Sequence, residues 1–325
     1  MTPTIRRVLF PTDFSACAEG AYRHAAYLAD RFGAELHVLH VVEDESAPER
    51  DWPEAAGTGH LKLTMADVCE DLGLPPPPAD RAHDPYDLVE IVEEEIVGRN
   101  AVEAILDYAH DEGVDLVVMG THGRSGWRRG VLGSVAESVA RRAPCPVLTV
   151  RPLDAPGERP WPPARVLLAL GDVPYGGFDA VPPAALWAAR LAVAYRAPLE
   201  VVHVTNPGVR ALGGPALAGD EEDRMLQTLD GLVRALRAAT DPGLPVSTDV
   251  REGFPADEVR AVAESDGVHL LVVGTHGRQG VRRALLGSVA EDLVRTAPCP
   301  VLVARDAPSV GRRADPDRQR AVAST

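Results

Sequence analysis

One glycine pattern occurs twice in this chain, at a constant offset. Residues 120–151 read GTHGRSGWRRGVLGSVAESVARRAPCPVLTVR, residues 274–305 read GTHGRQGVRRALLGSVAEDLVRTAPCPVLVAR, and 22 of the 32 positions are identical. Each copy holds Gly-x2-Gly-x9-Gly-Ser: Gly120, Gly123, Gly133 and Ser134, then Gly274, Gly277, Gly287 and Ser288. An apolar run precedes each copy, Val114 to Met119 and Val268 to Val273. A buried parallel strand therefore ends at the glycines, and a loop leads from there into a helix. In α/β sheets that is where nucleotide phosphates sit.

A repeat near 155 residues in a chain of 325 is a duplicated domain rather than a solenoid. The expected division is 1–151 and 165–305, joined by a proline-rich linker over 152–164 and followed by a disordered tail over 306–325. In the first half RRVLF is a strand, Ser15 a helix N-cap and Gly33 the helix stop, and ELHVLHVVE the next strand. Strand, helix and strand in that order predict a parallel pair with a right-handed crossover. Residues 43–60 read as a loop, 61–72 as a helix, 89–96 as a strand and 101–110 as a helix. The second half repeats the order, with ARVLLAL and PLEVVHVT as strands, a helix over 220–238, strand VSTDVREG and a helix over 256–265.

Glycines let backbone N–H groups approach an anion with no Cβ in the way, and a helix start adds its dipole. Arg124, Arg128 and Arg129, with Arg278, Arg282 and Arg283, offer charge-assisted contacts. Ser134 with Glu137, and Ser288 with Glu291, also have the spacing of a capping box, which requires no ligand. A cap leaves the upstream glycines and the arginines unexplained; the whole pattern, present twice, points to phosphate. His122 and His276 read as loop histidines bonded to backbone, and Asp13, Asp115, Asp172 and Asp266 as turn formers. The chain has no Walker A sequence, no Gly-x-Gly-x-x-Gly and no Gly-x-Ser-x-Gly. No catalytic residue and no protein metal site is assigned.

Composition excludes several classes. A net charge of −15 argues against nonspecific binding to nucleic acid or anionic membranes. No apolar run is long enough to span a membrane, and the N-terminus lacks a signal-peptide core, so the expected compartment is the cytoplasm. Cys17, Cys69, Cys145 and Cys299 form no Cys-x-x-Cys pair and read as buried free thiols.

With VLFPTDFS at the start, DLVVMGTHGRSG before the first loop and Gly-x2-Gly-x9-Gly-Ser in both halves, the chain resembles a tandem universal stress protein of the ATP-binding branch, over about 4–151 and 164–305. The resemblance implies two doubly wound α/β domains. Each would be a five-stranded parallel sheet in the order 3-2-1-4-5, flanked by helices, with ATP across the carboxyl ends of the strands. Pro11, Thr12 and Asp13 would lie near adenine, and Val42 near adenine or ribose. Gly120 and Gly123 would contact ribose and phosphates, beside Arg124; Gly133, Ser134 and Val135 would hold phosphates, with Mg²⁺ bound mainly through them. The matching residues of the second half are Gly274, Gly277, Arg278, Gly287, Ser288 and Val289. There FPTDFS is replaced by LALGDVPYGGFD, so Asp172 matches Asp13 only with one inserted residue, and the first half is expected to be the better site.

The family pairs through its last strands, which implies that VLTV (147–150) meets VLVA (301–304) within one chain; further association into a homodimer stays open. The function implied is that of an ATP-dependent stress regulator or sensor with slow or no hydrolysis. The alternatives are a weak ATPase or nucleotidyl- or phosphoryl-transfer enzyme, and a chaperone-like interaction protein that binds no nucleotide.

Overall fold

The computed structural model describes residues 4–44, 57–64, 66, 67, 70, 88–121, 133–151, 161–171, 173, 174, 177–205, 218–265, 267–275 and 286–305. The glycine loops between Thr121 and Gly133 and between Thr275 and Leu286, most of the linker, Asp172, Asp266 and the tail lie outside the described residues.

The first half contributes β1 (Arg7–Thr12), α1 (Ala16–Phe32), β2 (Glu35–Glu43), β3 (Gly57–Thr64), β4 (Leu88–Gly98), α2 (Ala101–Asp111), β5 (Leu116–Gly120), α3 (Ser134–Arg142) and β6 (Val147–Val150). The second contributes β7 (Val166–Leu170), α4 (Pro183–Tyr195), β8 (Leu199–Thr205), α5 (Ala218–Ala239), β9 (Val246–Glu252), α6 (Pro255–Ser265), β10 (Leu270–Gly274), α7 (Ser288–Thr296) and β11 (Val301–Ala304). All eleven strands form one sheet in the order β3-β4-β2-β1-β5-β6-β11-β10-β7-β8-β9. In each half the strand sequence reverses direction between the first strand and the one that carries the glycine motif.

The central strands are apolar on both sides because helices cover both faces. In β5, Leu116 and Val118 join one core while Val117 and Met119 join the other. The first core runs continuously across both halves beneath α1, α4 and α5. The opposite face holds two separate cores, one under α2 and α3, the other under α6 and α7. Helix α1 stops at Gly33 in the left-handed conformation, φ 60° and ψ 42°, as the glycine there predicts. Cys145 and Cys299 are buried free thiols, and burial pushes the Cys145 thiol up to about 12.

Two expectations for the first half need correction. Residues 57–64 form β3, antiparallel to β4 from Gly57↔Glu95 to Thr64↔Leu88, where a loop and the start of a helix were expected. Alternation in HLKLT, with Leu61 and Leu63 on one side, is a period of two, and pairing against β4 satisfies it. Among the described residues the first half therefore has six strands, where five were expected. With β3 set aside, its neighbours run β4-β2-β1-β5-β6, third, second, first, fourth and fifth along the chain.

Among the described residues, the halves meet at the sheet seam and at a helix pair beside it. β6 and β11 pair antiparallel, Val147↔Val303, Leu148↔Leu302 and Thr149↔Val301, and the Thr149 hydroxyl donates to the Val301 carbonyl at 3.1 Å. Beside them α1 packs on α4. Tyr27 and Tyr195 stack with centroids 5.1 Å apart, Nδ1 of His24 and the Tyr195 hydroxyl share a 2.8 Å hydrogen bond, and the Tyr27 hydroxyl donates to the Ala194 carbonyl. Trp161, at the end of the expected linker, presents its edge to Tyr27, and the Arg23 guanidinium lies 4.0 Å above its ring.

Candidate functional site

The site begins where β1 and β5 part. Odd-numbered residues of β1 address β5 and even-numbered ones address β2: Asp115 N–H donates to the Arg7 carbonyl, and Glu35 N–H to that of Arg6. Pro11 therefore turns its nitrogen, which has no hydrogen, toward β5. The β1–β5 ladder stops at Leu9↔Val117, whereas the β1–β2 ladder continues to Thr12↔His40. Two strands that separate early at a reversal of strand order leave a crevice at their carboxyl ends. In the second half Ala169 takes the place of Pro11, and its ladder runs through Ala169↔Val273 to one residue short of Gly274. One proline thus ends the β1–β5 ladder two residues sooner than its counterpart.

The rim of that crevice is a tight turn. Thr12 Oγ1 accepts from Phe14 N–H at 3.0 Å, and Asp13 Oδ1 accepts from Ser15 N–H at 3.1 Å. Phe14 has φ 58°, and its exposed ring lies 4.7 Å from the ring of His40. Nδ1 of His40 donates to the Thr12 carbonyl at 2.9 Å, which leaves Nε2 as an acceptor. His203 does the same for Leu170 at 3.0 Å but is buried. Sequence reasoning missed this pair of histidines; the signal was present, because each is the last residue of a strand register, opposite the end of β1 or β7.

The floor is the start of α3. Thr121 N–H donates to the Val150 carbonyl, and Gly133 N–H donates to the Thr121 carbonyl at 2.7 Å, so the chain leaves β5 and returns to it within one hydrogen bond. The capping-box reading is corrected here. Gly133, with φ −63° and ψ 141°, is the N-cap, Ser134 is the first helical residue, and no side chain caps the helix. The first helical bond is Glu137 N–H to the Gly133 carbonyl, so the amides of Ser134, Val135 and Ala136 precede any helical partner. α7 repeats this with Gly287 as N-cap, no side-chain cap, and Gly287 N–H on the Thr275 carbonyl at 3.1 Å. A Cβ on Gly287 would sit 3.2 Å from that carbonyl oxygen, which is why this position is glycine.

The structure brings Pro11, Thr12, Asp13, Gly120, Gly133, Ser134 and Val135 to the carboxyl ends of β1 and β5, and Gly274, Gly287, Ser288 and Val289 to the equivalent end of the second half. Gly123, Arg124, Gly277 and Arg278 lie outside the described residues, as do His122 and His276. Val42 is exposed, on the side of β2 that faces α1, whereas Val41, like Val135, packs against the core on the α3 side. Val41, rather than Val42, shares the face of the helix start. Asp115 is a strand staple at the far end of β5, where its carboxylate accepts from the amides of Arg6 and Arg7.

Strongly shifted titrating groups gather away from this end. At the starts of the strands, His37 shares a 2.7 Å hydrogen bond with the Tyr108 hydroxyl. Burial lowers His37 and raises Tyr108 there; burial also pushes Glu35 up, but Arg7 and His37 together draw it down on balance. These groups knit strands and α2 together. The helix start and the polar turn meet at this end of the sheet, an arrangement whose dipole suits an anion.

Comparison with known proteins gives the same outline. The sequence model of the Universal stress protein family matches residues 4–151 and 173–305. A universal stress protein of Mycobacterium tuberculosis is 28% identical over 314 residues, covering 92% of this chain and 96% of its own. Another from that organism is 34% identical over 217 residues, 66% of this chain and 69% of its own. Among solved structures, a universal stress protein from Archaeoglobus fulgidus DSM 4304 superposes with a TM-score of 0.57 at 20% identity, covering 93% of this chain and 99% of its own. A chain from Pseudomonas aeruginosa UCBPP-PA14 gives 0.60 at 20% identity, covering 93% and 94%. No helix among the described residues is long and apolar enough to cross a membrane.

Proposed function

This chain belongs to the universal stress protein family, and we propose that its first half binds ATP and reports nucleotide occupancy in a stress response, with slow or no hydrolysis. The observation that carries the reading is the start of α3, a helix with a glycine N-cap, no capping side chain and three leading amides, set beside a crevice that Pro11 opens. Helix dipole and free N–H groups there suit a phosphate. Thr12, Asp13 and the neighbouring end of β2 would take the nucleoside. No cluster of three or more His, Cys, Asp or Glu among the described residues could hold a metal, so Mg²⁺ would ride on the phosphate oxygens. The second half keeps the helix start but lacks the Pro11-Thr12 pair and has a longer β7–β10 ladder, and it would bind more weakly or serve as a structural partner. Pairing of the halves through β6 and β11 in solution, and a cytoplasmic location, belong to the same proposal.

The test is Gly133→Asp. The backbone angles of Gly133 admit any residue, but at the matching Gly287 a Cβ lies 3.2 Å from the threonine carbonyl, so the variant is expected to cost about 1–3 kcal/mol and thermal unfolding checks that it stays folded. Its carboxylate would occupy the anion's place. Nucleotide released from the denatured wild-type protein and identified by mass spectrometry, with calorimetric ATP affinity falling roughly tenfold or more in the stable variant, supports the proposal. Equal affinity in both proteins, or none in the wild type, refutes it.

A further inference from the structure

The C-terminal ends of the two glycine-loop helices are completed by the opposite half. α3 closes at Ala143, whose N–H donates to the Val139 carbonyl, and the residue that would next serve Ala140 is Pro144, which has no N–H. The carbonyls of Ala140 and Arg141 are left facing outward, and Arg305 of the second half donates to both, at 2.7 Å to Ala140. α7 ends alike at Ala297 and Pro298, and Arg151 of the first half donates to the Arg295 carbonyl. Arg151 and Arg305 are the same position of the two repeats, each directly after the last strand of its half. The antiparallel β6–β11 register is what sends each across: with Thr149 opposite Val301, the residue after either strand falls beside the turn that enters the other.

A second link joins the same helices. Arg141 of α3 bridges Glu137 at 3.0 Å and Glu291 of α7 at 3.2 Å, and Arg295 reaches that same Glu291 at 3.1 Å. Arg151 and Arg305 are both partly buried.

We propose that Arg305 and Arg151 are positioning residues acting between the halves, each fixing from its C-terminal end the helix whose N-terminus holds the anion in the other half. A guanidinium at a helix C-terminus satisfies orphan carbonyls and matches the dipole that favours an anion at the opposite end. The ligand part of this inference rests on the nucleotide reading above; the positioning part does not. Binding at the first-half helix is then linked to pairing of the halves.

The experiment uses the full chain as wild type, Arg305→Gln, Arg305→Lys and Arg151→Gln. Amide hydrogen exchange by mass spectrometry follows peptides covering α3, α7 and the remote pair β7–β8, and calorimetry measures ATP with Mg²⁺. Arg305→Gln is expected to speed exchange in α3 well beyond α7 and β7–β8, and to weaken ATP about fivefold. Arg305→Lys should recover part of both, and Arg151→Gln should speed α7 more than α3. Equal acceleration in α3, α7 and β7–β8 would mean general destabilisation and overturns the positioning role. ATP affinity within about twofold of wild type in Arg305→Gln, with α3 alone loosened, overturns the coupling. If the wild-type chain takes up no nucleotide, the function reading and the coupling fall together, and exchange alone decides the positioning role.

Discussion

Acid should loosen the junction between the halves through one residue, His24. Its ring is buried, bonded through Nδ1 to the Tyr195 hydroxyl, edge-on to Trp161 and Tyr195, and near the Arg23 charge. Burial, and secondarily Arg23, pull its pKa from 6.5 to about 3. The unfolded chain takes up this proton as pH falls through about 6.5, and the folded chain only near 3. Between those values the unfolded state binds more protons, so stability is full above 6.5 and falls steadily on acidification. The slope is about 1.4 kcal/mol per pH unit, so a drop from about pH 7.5 to about pH 5 costs about 2 kcal/mol from this residue alone. The variant His24→Gln keeps a hydrogen-bonding partner for Tyr195 and removes the titration. Urea unfolding followed by circular dichroism, at matched ionic strength across that range, should show a shallower pH slope in the variant by about that amount. His37, whose pKa burial also lowers, adds a slope of the same sign to both proteins and cancels in the difference. Identical slopes in the two proteins would refute the assignment of a neutral, buried His24 to the junction.

Two other perturbations address the site. Pro11→Ala restores an N–H directed at β5, and the β1–β5 ladder should then extend as the β7–β10 ladder does at Ala169. Slower amide exchange at the end of β5 together with roughly tenfold weaker ATP binding is expected, and unchanged exchange would contradict the proline's role. Gly287→Ala places a Cβ 3.2 Å from a backbone oxygen that cannot swing away, so it should cost roughly 1–3 kcal/mol and lower the thermal midpoint by a few degrees in calorimetry.

Much of the architecture was legible because it is written in local periodicity and in repetition. Two copies of Gly-x2-Gly-x9-Gly-Ser, each behind an apolar run, specified the strand–loop–helix unit, and Gly33 specified where α1 stops. What escaped depended on partners distant in the chain. HLKLT is too short to choose between helix and strand until β4 offers it an antiparallel edge. Ser134 with Glu137 has the letters of a capping box, yet the cap falls on Gly133 because its N–H is fixed by the Thr121 carbonyl, which shifts the helix start by one residue. Val41 and Val42 are indistinguishable as neighbouring apolar residues, and only the pleat of β2 assigns one to the α3 face and the other to the α1 face.

The sequence by itself determined the duplicated α/β unit and the places where its strands hand over to helices, since these follow from spacing along one chain. The tertiary structure decided which ladder stops early, through the side of β1 on which Pro11 lacks its hydrogen. It also decided that the arginine ending each repeat completes a helix of the other, through the β6–β11 register. Both depend on which groups face each other across strands, and that is set by pairing in space rather than by order in the chain.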